Sequence, residues 1–203
     1  MATALKMEAL SENDDMNNSW AHEDPERYVY RDISYKVDAF GGIQFCFRNS
    51  TLAEPMGNRT IREIVDGLPR LDGAGIVAGA AEPPETPLDI GVQSDLIYII
   101  YRIARPSNMT FHPERKALSH KQEGPRSRYG RLRHVTGQGH TYEPGEDCKI
   151  VYFACKPDTV AYRDGLNLRV RLQQESRPDS PDVPRVLDLE IDPDIRFPGG
   201  SPT

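Results

Sequence analysis

Residues 33–47 read ISYKVDAFGGIQFCF, and this stretch decides the fold class. Apolar residues alternate with more polar ones on both sides of a glycine pair; they are Ile33, Tyr35, Val37 and Ala39 before it, and Ile43, Phe45 and Phe47 after it. Alternation with a period of two is typical of a half-buried strand, and the pair Gly41-Gly42 can adopt the positive φ of a tight turn. The stretch therefore predicts a β-hairpin.

Four further stretches carry strand patterns. Asp95–Ile103 and Lys149–Cys155 are almost continuously apolar, as expected of central strands that are covered on both faces. Leu166–Leu172 and Leu187–Ile191 alternate between apolar and polar residues, so each predicts a strand with one face in solvent. Several short strands of these two kinds predict two packed sheets, and we expect a mainly β, single-domain antiparallel β-sandwich.

One short helix is predicted after the hairpin. Thr60 and Glu63 have the spacing of a capping box, in which each side chain bonds to the backbone N–H of the other residue. Apolar residues follow at helical spacing, namely Ile61, Ile64, Val65 and Leu68. Gly67 can end the helix and Pro69 prevents its continuation. We expect this helix to lie on a face or an edge of a sheet.

Length and composition agree with a single β domain. A chain of 203 residues is long enough to bury a sizeable core. Hydrophobic residues make up only 37% of it, while 16 glycines and 17 prolines supply turns, which favours short strands over long helices. We expect a flexible acidic arm over residues 1–26, the β-sandwich domain over 27–195 and a flexible tail over 196–203.

The sequence also predicts a cytoplasmic protein that does not contact membranes. The first twenty residues lack the basic start, apolar core and cleavage site of a secretory signal. The longest wholly apolar run, Leu96–Tyr101, is far shorter than the ~20 residues of a membrane-spanning helix. The three cysteines fit neither an even disulfide framework nor zinc-ligand spacing and are predicted to be buried core residues; they are Cys46, Cys148 and Cys155.

Two histidines raise the question of a metal site. His134 and His140 are separated by VTGQG, whereas a cupin-like metal site needs a close His-x-His pair. Glu143 and Glu146 could supply oxygen ligands, and a further nitrogen could come from His112 or His120. A metal-dependent, cupin-like jelly-roll enzyme is therefore an alternative hypothesis. The favoured interpretation is that the histidines flank a turn at residues 137–139, and no cofactor is predicted.

Charge is distributed unevenly along the chain. Residues 115–134 hold one acid, Glu123, and seven basic residues, which are Arg115, Lys116, Lys121, Arg126, Arg128, Arg131 and Arg133. This stretch therefore carries +6, and because the whole chain carries −6, the remainder carries −12. Such a layout predicts a basic loop on an acidic body, able to steer a partner of opposite charge.

The basic stretch suggests two kinds of partner. It could contact an acidic protein surface or a second copy of the chain, and we expect a non-catalytic interaction or self-assembly module that uses these seven residues and Tyr129. A nucleic-acid-binding protein is a second alternative, because arginines around Tyr129 could grip phosphates while the ring stacks on a base. No G-x-S-x-G motif is present, and no catalytic residue is predicted.

Three short motifs carry a resemblance to a known group of proteins. DGLNLRV begins at Asp164, LDLEIDPDI at Leu187 and PGEDCKIVYF at Pro144. Together they resemble the closing strands, and the turn entering a strand, of small bacterial β-sandwich inclusion-body proteins of the PixA-like type. The turn departs from the usual pattern because Glu146 precedes Asp147. The resemblance implies a non-enzymatic, self-associating cytoplasmic protein.

Overall fold

The structure, a computed structural model, describes residues 25–50, 53–68, 87–90, 96–104, 108–121, 129–156, 162–174 and 185–197. Most of the expected arm and tail lie outside these described residues. Within them the chain is mainly β, with two sheets and one helix, as the sequence predicts. The helix α1 spans Ile61–Gly67. The strands are β1 Arg27–Val37, β2 Ile43–Asn49, β3 Glu54–Pro55, β4 Leu88–Asp89, β5 Ile97–Ile103, β6 Met109–Phe111, β7 Leu118–His120, β8 Arg133–Thr136, β9 Gly139–Thr141, β10 Ile150–Cys155, β11 Tyr162–Gln174, β12 Arg185–Ile191 and β13 Asp194–Phe197.

The first sheet has the strand order β2-β1-β5-β10-β8-β9, and β3 pairs with the other end of β1. The predicted hairpin is confirmed: β1 and β2 are antiparallel, Val37 lies opposite Ile43, and Gly41 has a φ of +83° in the turn. The neighbouring pair of β1 and β5 is parallel. Residue patterns reveal strands but not their relative direction, so this pairing could not be read from the sequence.

The second sheet is built around the long strand β11. Its order is β12-β11-β13-β4, and β6 and β7 also pair with β11, β6 at Val170–Leu172 and β7 at Leu166–Leu168. All these pairs are antiparallel except β4 with β13. The sequence analysis did not anticipate β13, which continues two residues past the expected domain end at residue 195.

The main core lies between the two sheets, and β5 shows how the chain fills it. Ile97, Ile99 and Tyr101 are fully buried in this core together with residues of β11. Ile100 points to the opposite, outer face of the first sheet, where a second apolar cluster forms. Both faces of β5 are covered, which explains its continuous apolar sequence. The predicted burial of all three cysteines is confirmed, and none forms a disulfide.

Helix α1 covers part of that outer face. The predicted capping box is present, because the N–H of Glu63 donates to Thr60 Oγ1 and the N–H of Thr60 donates to the Glu63 carboxylate. Ile64 and Val65 are buried against Tyr28 and other residues of the sheet. The described residues include no helix that is long and apolar enough to cross a membrane.

Candidate functional site

The hairpin of β8 and β9 places the two histidines on opposite faces of the first sheet. His134 is fully buried toward the main core, where its Nε2 accepts a hydrogen bond of 3.4 Å from the N–H of Ala117. His140 lies opposite Val135, and its ring contacts the outer face. Successive side chains of a strand point to opposite faces, so His134 and His140 cannot line one cavity.

The other proposed metal ligands do not join either histidine. Glu143 and Glu146 are exposed, and Glu143 lies near an arginine. His112 directly follows β6 of the second sheet, and its Nε2 is 3.4 Å from a carboxylate oxygen of Asp188. The side chain of His120 lies outside the described residues. No group of three His, Cys, Asp or Glu side chains in the described ranges could hold a metal ion. The cupin-like metal set is therefore not assembled in this part of the chain.

The basic stretch does not form one loop, because it is divided between the two sheets. Arg115 and Lys116 are exposed beside β7 of the second sheet, where Lys121 Nζ lies 3.0 Å from Asp192 Oδ2. Tyr129 is 7% exposed and packs edge-on against Phe153, with 5.6 Å between ring centroids. A buried ring cannot stack on a base. Two more residues of the set lie outside the described ranges, Arg126 and Arg128.

The first-sheet end of that stretch carries two arginines around one tyrosine. The guanidinium carbons of Arg131 and Arg133 lie 4.0 Å and 4.1 Å from the ring centroid of Tyr142. Arg133 also donates a hydrogen bond to the Tyr142 hydroxyl. The carboxylate of Glu143 lies 3.8 Å from Arg131, and both of these side chains are well exposed. Two guanidinium groups held at one aromatic ring form a surface suited to an anion such as phosphate.

His140 connects the helix to the sheet beside this pair of arginines. Its Nε2 lies 3.2 Å from Oδ1 of Asp66, in the last turn of α1, and its Nδ1 lies 3.0 Å from the hydroxyl oxygen of Tyr152 on β10. A carboxylate oxygen accepts, so in the tautomer that fits both contacts Nε2 carries the proton and donates a hydrogen bond to Asp66. Nδ1 is then the acceptor for the Tyr152 hydroxyl. The three side chains form an ordered chain of hydrogen bonds.

Burial keeps the hydroxyl of Tyr152 in the donating form. Burial raises the pKa of Tyr152, and the nearby cations Arg133 and Arg62 oppose that rise. Because the net shift is upward from 10, the phenol stays protonated at neutral pH and donates to His140. A carboxylate, a histidine and a tyrosine hydroxyl joined in this way can pass a proton along their hydrogen bonds.

Sequence reasoning singled out His140, Arg131 and Arg133 but missed their partners. Asp66 is 74 residues from His140, and nothing in the sequence indicates that the two meet. Tyr152 reads as one more apolar residue of a central strand. Strand order and register place β9, β8 and β10 side by side and so bring His140 to Tyr152, while the position of helix α1 adds Asp66.

Comparison with known proteins changes the functional assignment. Residues 53–200 match the model of the pNTSase1 family, described as a predicted novel nucleotide synthetase. A search of curated proteins and a search of solved structures each found no match. The family match overturns the resemblance to PixA-like inclusion-body proteins, and with it the interpretation as a non-catalytic protein–protein interaction or self-assembly module. It favours neither the metal-dependent nor the nucleic-acid-binding alternative.

Proposed function

We propose that this chain, which belongs to the predicted novel nucleotide synthetase family, forms a new phosphate ester of a nucleotide at the outer face of its first sheet. The single observation that carries the proposal is the bridge that His140 makes between Asp66 and Tyr152. It supplies a path for the proton that a hydroxyl nucleophile must lose. The arginines beside it supply charge for the phosphate.

The proton path follows from the hydrogen-bond directions. A substrate hydroxyl attacks phosphorus, so that a new P–O bond forms while the bond to the leaving phosphate breaks. The hydroxyl proton passes to the Tyr152 oxygen as the Tyr152 proton moves to Nδ1 of His140. Asp66 accepts the hydrogen bond from Nε2 and stabilises the imidazolium that results, which is the role of the carboxylate in other histidine-centred sites.

Arg131 and Arg133 hold the phosphate that is attacked. Neither depends on a buried carboxylate, because the partner of Arg131 is the exposed Glu143 and Arg133 donates to Tyr142. Planar guanidinium groups can bind phosphate oxygens through two parallel hydrogen bonds. Their contacts with Tyr142 restrict their rotamers before the substrate arrives, which lowers the entropy cost of binding.

The compartment is part of the proposal. All three cysteines are buried as free thiols, which suits a reducing environment. We therefore place the enzyme in the cytoplasm, where nucleotide substrates are also available.

Product formation is the experiment that tests this function. The full chain is incubated with pairs of nucleoside triphosphates and nucleosides or nucleotides, and the mixture is separated by anion-exchange chromatography and analysed by mass spectrometry. We expect a new phosphate ester together with released phosphate or pyrophosphate. A chain that is folded by circular dichroism and yields no nucleotide product from any pair would contradict the proposal.

A further inference from the structure

We propose that Arg48, Arg102 and Ser34 form a second anion-binding subsite, which receives the phosphate of the second nucleotide substrate. The inference rests on the proposed function, since it assigns the place of the molecule that supplies the attacking hydroxyl. A synthetase joins two substrates, and the arginines at Tyr142 account for only one of them. The second subsite lies on the same outer face, on the strands β2, β1 and β5.

A carboxylate shared by two arginines builds this subsite. Asp32 is fully buried; its Oδ1 accepts a 2.6 Å hydrogen bond from Nε of Arg102, and its Oδ2 lies 3.1 Å from Nη2 of Arg48. The guanidinium carbon of Arg102 lies 4.7 Å from the ring centroid of Tyr30. Both guanidinium groups are therefore held in place before any ligand binds.

Charge and burial show what such a cluster can do. Removing an ion pair from water carries a desolvation penalty that the attraction between the charges often fails to recover, so a buried pair is weak evidence for a stabilising role. The buried carboxylate of Asp32 contacts the guanidinium groups of both Arg48 and Arg102. The side chain of Arg48 is 38% exposed while that of Asp32 is fully buried. The guanidinium group of Arg48 is therefore the cation of this cluster that faces solvent, where an anion can reach it.

Ser34 provides an independent indication of a ligand. It lies two residues after Asp32 on β1, so its side chain points to the same face. Ser34 is only 5% exposed, and its hydroxyl oxygen has no hydrogen-bond partner among the described residues. A buried hydroxyl without a partner is costly and rare in folded proteins. A ligand oxygen bound between Arg48 and Arg102 would supply that partner.

The strand register connects this subsite with the proton path. Arg102 of β5 lies directly opposite Ile150 of β10, and Tyr152 is two residues further along β10 on the same face. Arg102 and Tyr152 are therefore diagonal neighbours, with their Cα atoms about 7–8 Å apart as in any antiparallel pair. A nucleotide whose phosphate is bound by Arg48 and Arg102 would extend its sugar hydroxyls toward Tyr152. The acceptor is accordingly a nucleoside monophosphate, bound by its phosphate.

Isothermal titration calorimetry with three probes tests the subsite. The probes are a nucleoside 5′-monophosphate, the same nucleoside without phosphate, and inorganic phosphate. For the wild-type chain we expect the monophosphate to bind at least tenfold more tightly than the nucleoside, because a charge-assisted hydrogen bond is worth about a factor of ten or more. Inorganic phosphate should compete with the monophosphate. Because it has no base, this competition shows that the phosphate group itself is recognised.

Three variants and one matched control locate the binding. Arg48→Gln should weaken monophosphate binding about tenfold to a hundredfold, and Ser34→Ala about fivefold. Arg48→Lys keeps the charge and should lose less affinity than Arg48→Gln. The control is Arg169→Gln, which removes a similar arginine–carboxylate pair, since Nε of Arg169 lies 2.9 Å from Oε2 of Glu190 on the second sheet. Its affinity for the monophosphate should equal that of the wild type.

Several outcomes would overturn the subsite. It fails if the monophosphate and the nucleoside bind wild type equally, or if Arg48→Gln and Ser34→Ala bind the monophosphate as wild type does. If Arg48→Gln does not fold, Arg48→Lys and Ser34→Ala decide the question, and unchanged affinity in both rejects the inference. If the enzyme is active but its affinity for the monophosphate does not change in Arg48→Gln, the subsite is rejected and the proposed function stands. If the chain forms no product but binds the monophosphate in a way that depends on Arg48, the subsite stands and the proposed function is rejected.

Discussion

His140 Nε2 lies 3.2 Å from the carboxylate of Asp66, although 74 residues separate the two in the sequence. This contact joins the last turn of α1 to β9, and the Tyr152 hydroxyl lies on the other side of the same ring. The position of the helix on the sheet therefore sets the geometry of the proton path. Changes that loosen the helix should affect both stability and activity.

The N-terminal cap of α1 is the first place to test how firmly the helix is held. Thr60→Ala removes the side chain that accepts from the N–H of Glu63, and the loss of such a cap costs about 1 kcal/mol of the free energy of unfolding. Urea denaturation measures that loss. Thr60→Ser keeps the hydroxyl and serves as the control, with an expected loss well below that of alanine. Equal losses in the two variants would show that the cap does not hold the helix.

The turn before His140 depends on one glycine. Gly139 has a φ of +106°, and an added Cβ would meet nothing within 4 Å, so the cost of Gly139→Ala is backbone strain alone, about 1–3 kcal/mol. Gly137→Ala is the matched control, because Gly137 lies in the same turn, has equal space and has no positive φ. In thermal unfolding, the midpoint temperature of Gly139→Ala should be clearly lower than that of Gly137→Ala. Equal midpoint temperatures for the two variants would show that the positive φ of Gly139 causes no strain in alanine.

His134 should make the fold sensitive to acid. Burial lowers its pKa from 6.5 to about 4, so between these values the unfolded chain binds a proton that the folded chain does not. The contribution of neutral His134 to the free energy of unfolding is fully present above pH 6.5 and is lost as the pH falls toward 4. The loss is roughly 3 kcal/mol, since each pKa unit corresponds to about 1.4 kcal/mol. Urea unfolding across this pH range measures the slope. His134→Gln should flatten it, and an unchanged slope would assign the acid sensitivity to other groups.

The phosphate role of Arg133 predicts a specific kinetic change. Arg133→Gln should raise KM for the nucleotide about tenfold, because one charge-assisted hydrogen bond is lost, and should lower kcat less. Arg115→Gln is the control, since Arg115 is an exposed arginine of the same basic stretch beside the second sheet. Steady-state kinetics separate the two parameters. An unchanged KM in Arg133→Gln, or an equal rise in the control, would contradict the role.

Most of the fold was predictable because local patterns decide it. The hairpin at Gly41, the capping box at Thr60 and the strands around β5 and β10 are each visible within about ten residues. The parallel pair of β1 and β5 was not predictable, since a single sequence carries no information on strand direction. Strand β13 was missed because its four residues lie between prolines and glycines that indicate a loop.

The site was less predictable, because its residues come from distant parts of the chain. The charges of residues 115–134 predicted one basic loop. The stretch instead includes β7 of the second sheet and the start of β8 of the first sheet. The arginine at 48, the aspartate at 32 and the arginine at 102 each lie within a strand pattern, where a polar residue normally faces solvent. Their meeting depends on register, which side-chain periodicity alone does not determine.

The most direct test of the central claim is nucleotide product formation by wild type and by His140→Asn under identical conditions. Removing a general acid–base group should lower the rate about 10²- to 10⁴-fold, while monophosphate binding remains. Circular dichroism of both proteins shows whether the variant is folded. The account predicts a folded variant that binds nucleotide and forms almost no product. A variant that forms product at the wild-type rate would contradict it.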